Sequence, residues 1–337
     1  MPGPVTHLLF YRRLKSRLGT DPLCALPGYD ACSIFAQGHD LLIYHDFYKI
    51  VREKQLARNL KNSDQLQEFL FPQFVFNYLC RARELGVLDH EQIQLFLGPG
   101  YIAHHILDAR THPFIIYQTG DHTRDPKNKT WMHGIMENAV DILLLDELYP
   151  GQQPGRRVYR DFAFSPKQLD PALPAVLEAS LQQTYGFAGG GRSLCRAMSQ
   201  VSLFMRVFKY DPTGLKRRLF DAADPLLKGS ASFSYHRSKA LARPFLNEDH
   251  QEWCNPMDNT LRSRASFFEL YDRALDETAR ILRALSPLYR QQDFTWDTVR
   301  GIIPDIASTH GLACGQPLAI RYTKARPGPE SPSFHCR

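Results

Sequence analysis

The sequence predicts an all-α protein folded as a single multi-helix domain. Apolar residues recur at helical spacing in segment after segment, and strand signals are few. Gly, Pro and Asn/Asp stand where helices start and stop. The chain has 337 residues, 43% apolar and 23% charged. That balance excludes a wholly disordered chain and suffices for a sizeable core.

The elements follow in order. Residues 4–18 carry Val5, Leu8, Leu9, Tyr11 and Leu14 at helical spacing, and Gly19 is the stop. Residues 31–50 are apolar and aromatic, with Gly38 inside. Asn62-Ser63-Asp64 is an N-cap cluster opening a long segment to about Gly86, which Pro72 should kink or interrupt. Asp89-His90-Glu91 opens the next, broken at Gly98-Pro99-Gly100. A helix restarts near Tyr101 and should end near His112, because the residue before Pro113 is pushed out of the α region. Pro113–Tyr117 is the best strand signal. Residues 119–130 read as a loop, Trp131–Leu148 as helix and Pro150–Pro154 as a loop. Helical patterns follow at about 171–184, 193–209, 212–226 and 264–285, with Gly189-Gly190-Gly191 before the second of these. The domain reads as residues 1–310, and 311–337 as a tail, mobile from about Arg326.

The net charge is +6, with small basic clusters at Arg12-Arg13, Arg156-Arg157 and Lys216-Arg217-Arg218. This reads as a solvated surface, with a polyanion or anionic-membrane face weakly signalled. No apolar run is long enough to span a bilayer, and the first residues lack a secretory h-region, so the expected setting is cytoplasmic. The seven cysteines form no CxxC pair and read as reduced thiols.

Two groups of residues carry chemistry. In His104-x-x-x-Asp108-x-x-x-His112, positions 104 and 108 share a helix face and 112 lies one turn on. In His133-x-x-x-Glu137 the same spacing recurs. Two helices that each offer a His/carboxylate pair can build a metal site in a helical core. The apolar flanks Ile106, Leu107, Ile135, Met136 and Val140 place these helices in a core, where charges must be paired or metal-bound. Nitrogen and oxygen donors without Cys suit Zn²⁺, with Fe²⁺ or Mn²⁺ as alternatives, and Asp108 is placed to bridge two ions.

The pattern His104-x-x-x-Asp108-x-x-x-His112-Pro113, then His133-x-x-x-Glu137-x-x-x-Asp141, resembles the zinc-dependent phospholipase C family, and in particular its signal-less clostridial-type branch. Thr6-His7 and Gln37-Gly38-His39-Asp40 resemble its N-terminal elements. Leu246-Asn247-x-x-His250-x-x-Trp253-x-Asn255-Pro256, Ser266-Phe267 and Leu270-Tyr271 resemble its C-terminal half. The resemblance implies the phospholipase C/P1 nuclease-like fold and two or three zinc ions. It implies that His104 and Asp40 hold one ion and that Asp108 bridges to a further one. His112, His133 and Glu137 would hold a second, and His7 with Asp108 a third. The sequence departs from the family at His39, where Pro is usual. It also lacks a family His: residues 46–89 contain none, and His45 or Asp64 are the candidate substitutes.

Such a cluster supports phosphodiester hydrolysis, with Asp40 as general base and a phospholipid as the implied substrate. Transient membrane-surface contact would follow. A nuclease or nucleotide phosphatase on the same scaffold, or a metal-binding protein without turnover, remain the alternatives; nucleic acid is expected only in the nuclease case. Asp141 reads as a carboxylate orienting a ligating His or as a surface residue. His105 reads as structural, and His122 has no assigned role. His250 with Trp253 reads as pocket lining or packing. Tyr44, Phe47 and Tyr48 read as a choline cradle or an aromatic core stripe.

Overall fold

The computed structural model describes residues 3–46, 66, 68–120, 126–148, 160–209, 213–216, 218, 219, 222, 244–290, 293–315 and 319–324. Helix α1 spans Pro4–Leu18, a 3-10 helical stretch spans Ser33–Asp40, and α2 spans Leu41–Tyr44. Then come α3 (Phe71–Glu84), α4 (Glu91–Leu95), a π-helical turn (Phe96–Ile102), α5 (Ala103–Thr119) and α6 (Pro126–Leu148). Helices α7 (Leu173–Tyr185), α8 (Gly190–Phe204), α9 (Phe267–Leu285) and α10 (Trp296–Ile302) complete the set. The strands among the described residues are a two-residue pair, Trp253–Cys254 against Arg262–Ser263. The all-α expectation is met.

Helix α5 is the axis on which the site is built. It packs on α1, α6 and α9 and on the 3-10 stretch. Nearly every side chain from Ala103 to Ile116 is buried. Arg110, the half-buried exception, holds Glu277 of α9 through two bonds of 2.6 and 2.7 Å.

Two sequence expectations for this region are corrected. Gly98-Pro99-Gly100 does not break the chain; it is taken up in the π-helical turn, which joins α4 to α5. The wider turn relieves the clash that the Pro99 ring would otherwise make with the carbonyl four residues back. Nor does α5 end at His112. It runs through Pro113 to Thr119, so Pro113–Tyr117 is helix rather than strand. Pro113 removes the hydrogen bond to the Ala109 carbonyl, and the backbone of Gly311 lies against that oxygen so closely that a Cβ there would collide with it. Gly311 also has φ +68°, a conformation that glycine adopts at little cost.

Other boundaries follow local chemistry. Gly19, with φ 65°, ends α1 as expected. Pro72 does not kink a helix: it sits in the first turn of α3, where its missing N–H costs nothing. Helix α6 starts a turn earlier than Trp131. The expected N-cap at 62–64, most of the 212–226 helix, and His122 and Pro150–Pro154 lie outside the described residues. Residues 311–315 and 319–324 are bonded to the body: Gly311 N to Ala307 O, Arg321 N to Pro256 O and Lys324 N to Tyr117 O. The tail beyond 324 lies outside the described residues.

Gly311→Ala should therefore destabilise the fold by about 2–4 kcal/mol, from the left-handed conformation and the contact with Ala109 together. Urea unfolding measures this, and an unchanged midpoint would show that the Pro113 turn relaxes freely.

Candidate metal centre

The site begins at the first turn of α1. Gly3 caps this helix without a side-chain bond of its own. Asp141, from α6, supplies the missing acceptor. Its carboxylate accepts from Val5 N (3.3 Å), Thr6 N (2.8 Å) and Thr6 Oγ1 (2.7 Å). Asp141 is buried, so its place is neither the surface nor a mere flank of the ligands. It fixes the helix turn that carries His7, and the favourable charge at a helix N-terminus adds to the bonds.

The Gln37-Gly38-His39-Asp40 element is set by close approach. Gln37 Nε2 donates to Pro4 O at 3.1 Å, tying the element to α1. Gly38 leaves the helical path, with φ 48° and ψ −129°, and passes the His104 ring so closely that a Cβ would lie 2.7 Å from it. The turn delivers His39 and Asp40 into the interior.

One cluster forms where these elements meet α5. His7 Nε2 lies 3.2 Å from Asp108 Oδ1, and His104 Nε2 lies 3.3 Å from Asp108 Oδ2 and 3.8 Å from Asp40 Oδ2. The His7 and His104 rings stack at 3.9 Å. Ligand atoms of His7, Asp40 and His104 converge, as do those of His39, His104 and Asp108. His104 Nδ1 donates to Ala36 O at 2.9 Å, which directs Nε2 at the carboxylates.

A second cluster lies further along α5. His133 Nε2 is 3.3 Å from His112 Nε2 and 3.0 Å from Glu137 Oε1. Thr119 Oγ1 donates to Ile115 O and so accepts from His133 Nδ1 at 3.2 Å. That bond leaves His133 Nε2 with a lone pair facing a carboxylate oxygen and a second imidazole.

Burial works to raise the Asp108 pKa, but His104 and then His7 outweigh it and hold the carboxyl well below its usual range. Burial alone would neutralise His104, yet Asp108 and Asp40 keep its pKa above the ordinary value. Burial lowers His7, with His104 adding to the effect. Burial likewise lowers His133, while Glu137 and Asp108 act the other way. Burial raises Asp40 above the usual carboxylate range.

The donors fit a metal. His7 Nε2, His104 Nε2 and both oxygens of Asp108 are buried and meet one another as close imidazole–carboxylate pairs. A carboxylate so buried needs positive charge at close range. Two donors on one tetrahedral zinc, each at ~2.0 Å, stand ~3.3 Å apart. The separations of 3.2–3.3 Å among His7, His104 and Asp108, and between His112 and His133, match that spacing. Two buried groups among the described residues, His7 with Asp40 and His104, and His39 with His104 and Asp108, can hold a metal ion.

All seven residues expected as ligands, His7, Asp40, His104, Asp108, His112, His133 and Glu137, thus fall into these two clusters. Residues outside the clusters prove structural. His105 stacks on Phe71 at 3.6 Å and donates from Nε2 to Ile306 O. Trp253 Nε1 donates to Ala265 O, and Asn247 bonds the carbonyls of Gln251 and Ala265. His250 is exposed and meets Arg264 O and Glu269. This stitching seats Ser266, whose capping box with Glu269 opens α9. Tyr44 is buried against Phe204, a core position rather than a head-group cradle; Phe47 and Tyr48 lie outside the described residues. Sequence reasoning missed His39, Thr119 and the Ala36 carbonyl. His39 was signalled only by standing next to Asp40.

A comparison of the chain with protein families, characterised proteins and solved structures finds no match.

Asp141→Ala should cost about 2–4 kcal/mol in urea unfolding, for a lost cap and a lost buried charged acceptor. A loss below ~0.5 kcal/mol, the scale of an ordinary surface change, would mean that α1 is seated by its apolar face alone.

Proposed function

We propose that this chain is a zinc-dependent phosphodiester hydrolase of the phospholipase C type, cleaving phospholipid head groups. The observation that carries the reading is the pair of imidazole–carboxylate clusters, one built on His104 and Asp108 of α5 and the other on His112 of α5 with His133 and Glu137 of α6. The sequence pattern from His7 to Glu137 supports the phospholipase C assignment. A cytoplasmic setting belongs to the same reading and is supported by six free thiols among the described residues. Among those residues no helix is long and apolar enough to cross a membrane.

His7, Asp40, His104 and Asp108 would hold metal on one side, and His112, His133 and Glu137 on the other. Bound zinc supplies charge neutralisation at a phosphoryl group and an acidified water. The chain's own residues do the rest. Ala36 O and Thr119 Oγ1 hold the two imidazoles in the ligating tautomer. Asp40, lifted by burial towards a more basic carboxylate, accepts the proton of the attacking water. Asp141 keeps His7 at its post through the α1 backbone.

Protein purified without chelators and equilibrated with zinc should contain about two or three ions per chain. Chelation should lower the melting temperature by several degrees or more, since the metal holds buried charges together. Elemental analysis showing less than one tightly bound ion, or a melting curve indifferent to chelator, would overturn the reading.

Asp40→Asn keeps the size but cannot take a proton. Its turnover on phosphatidylcholine vesicles should fall by ~10²–10⁴ with most of the metal retained. Parallel loss of metal and activity would make Asp40 a ligand only. Activity on single-stranded DNA but not on vesicles would favour a nuclease on the same scaffold.

A further inference from the structure

His39 stands apart from the seven residues just assigned. It is fully buried, at the end of the 3-10 stretch. The backbone turn at Gly38 swings it inward, and that turn is possible only because no Cβ meets the His104 ring. The His39 ring stands edge-on to His104, with centroids 4.4 Å apart and planes at 87°. Tyr101 and His105 close its other sides at 5.8 and 6.3 Å.

Neither ring nitrogen of His39 makes a hydrogen bond. The contrast with His105, which shares the same aromatic layer, is informative: His105 donates to a backbone carbonyl and stacks face-to-face on Phe71, a packed and partly satisfied imidazole. His39 faces ligands instead. Its Nδ1 lies 3.4 Å from Asp40 Oδ1, and one of its nitrogens lies within 4.8 Å of ligand atoms of both His104 and Asp108.

We propose that His39 is a metal ligand, completing with His104 and Asp108 a donor set of two imidazoles and one carboxylate. The proposal rests on the metal-centre reading above and adds to it a residue that the sequence pattern did not assign. Two imidazoles with one carboxylate suit a zinc whose fourth position is left to water, whereas His104 and Asp108 alone would make too few donors. The proposal also removes the need for His45 or Asp64 as a substitute imidazole or carboxylate.

The test is metal stoichiometry and the absorption spectrum of the cobalt-substituted full-length chain, compared between wild type, His39→Ala and His39→Gln. Circular dichroism reports the fold. His39→Ala should lose about one ion per chain, or bind it at least ~10-fold more weakly in chelator competition, with a changed cobalt spectrum. His39→Gln keeps the volume, so it decides the matter where the alanine variant does not fold; weakened binding and an altered cobalt spectrum are expected there too. Folded variants with the wild-type ion count, affinity and cobalt spectrum would overturn the proposal and leave the metal centre standing. A lower melting temperature with unchanged metal would do the same, reducing His39 to packing. A wild-type chain holding less than one ion would instead remove the metal centre, and the proposal with it.

Discussion

Asp108 is a carboxylate with no exposure to solvent, and burying it demands positive charge or strong donors at close range. Much of the architecture meets that demand. His7 arrives from α1, His104 from the preceding turn of α5, and Asp40 and His39 from the 3-10 stretch. None of these elements is near another in sequence, so their convergence is a property of the packing around α5. A buried ionic cluster contributes little stability by itself and loses much when one partner is removed.

The precision of the cluster depends on atoms that never touch a metal. The Ala36 carbonyl and the Thr119 hydroxyl each occupy one nitrogen of an imidazole and aim the other. Asp141 acts at one further remove, through the backbone of the helix on which His7 rides. Gly38 contributes by lacking a side chain. Each of these is a buried feature that sets the direction of a donor atom through a neighbour rather than by its own charge.

Helical spacing made part of this visible in advance. His104, Asp108, His133 and Glu137 are readable because an i, i+4 repeat has one geometric meaning on a helix. The extent of α5 was not readable, because the segment that packs over the Pro113 turn, at Gly311, lies some two hundred positions away. Asp141 was ambiguous for the same reason: its partners, Val5 and Thr6, lie 136 and 135 positions upstream. His39 could not be assigned, since whether it faces in or out depends on the dihedral angles of Gly38. The C-terminal landmarks around Asn247 and Trp253 were legible as a pattern but belong to the scaffold of α9.

The π-helical turn at Phe96–Ile102 fixes the rotational phase of everything after it. One residue on a helix corresponds to about 100° of rotation. Removing or inserting a single residue in this turn would leave the length and apolar character of α5 almost untouched, yet it would swing His104, Asp108 and His112 together by a quarter-turn or more, away from α1 and α6. Substitutions there are a matter of fit, but the number of residues is a matter of function. Relatives with a working centre are accordingly expected to vary in the letters of this turn while keeping its count.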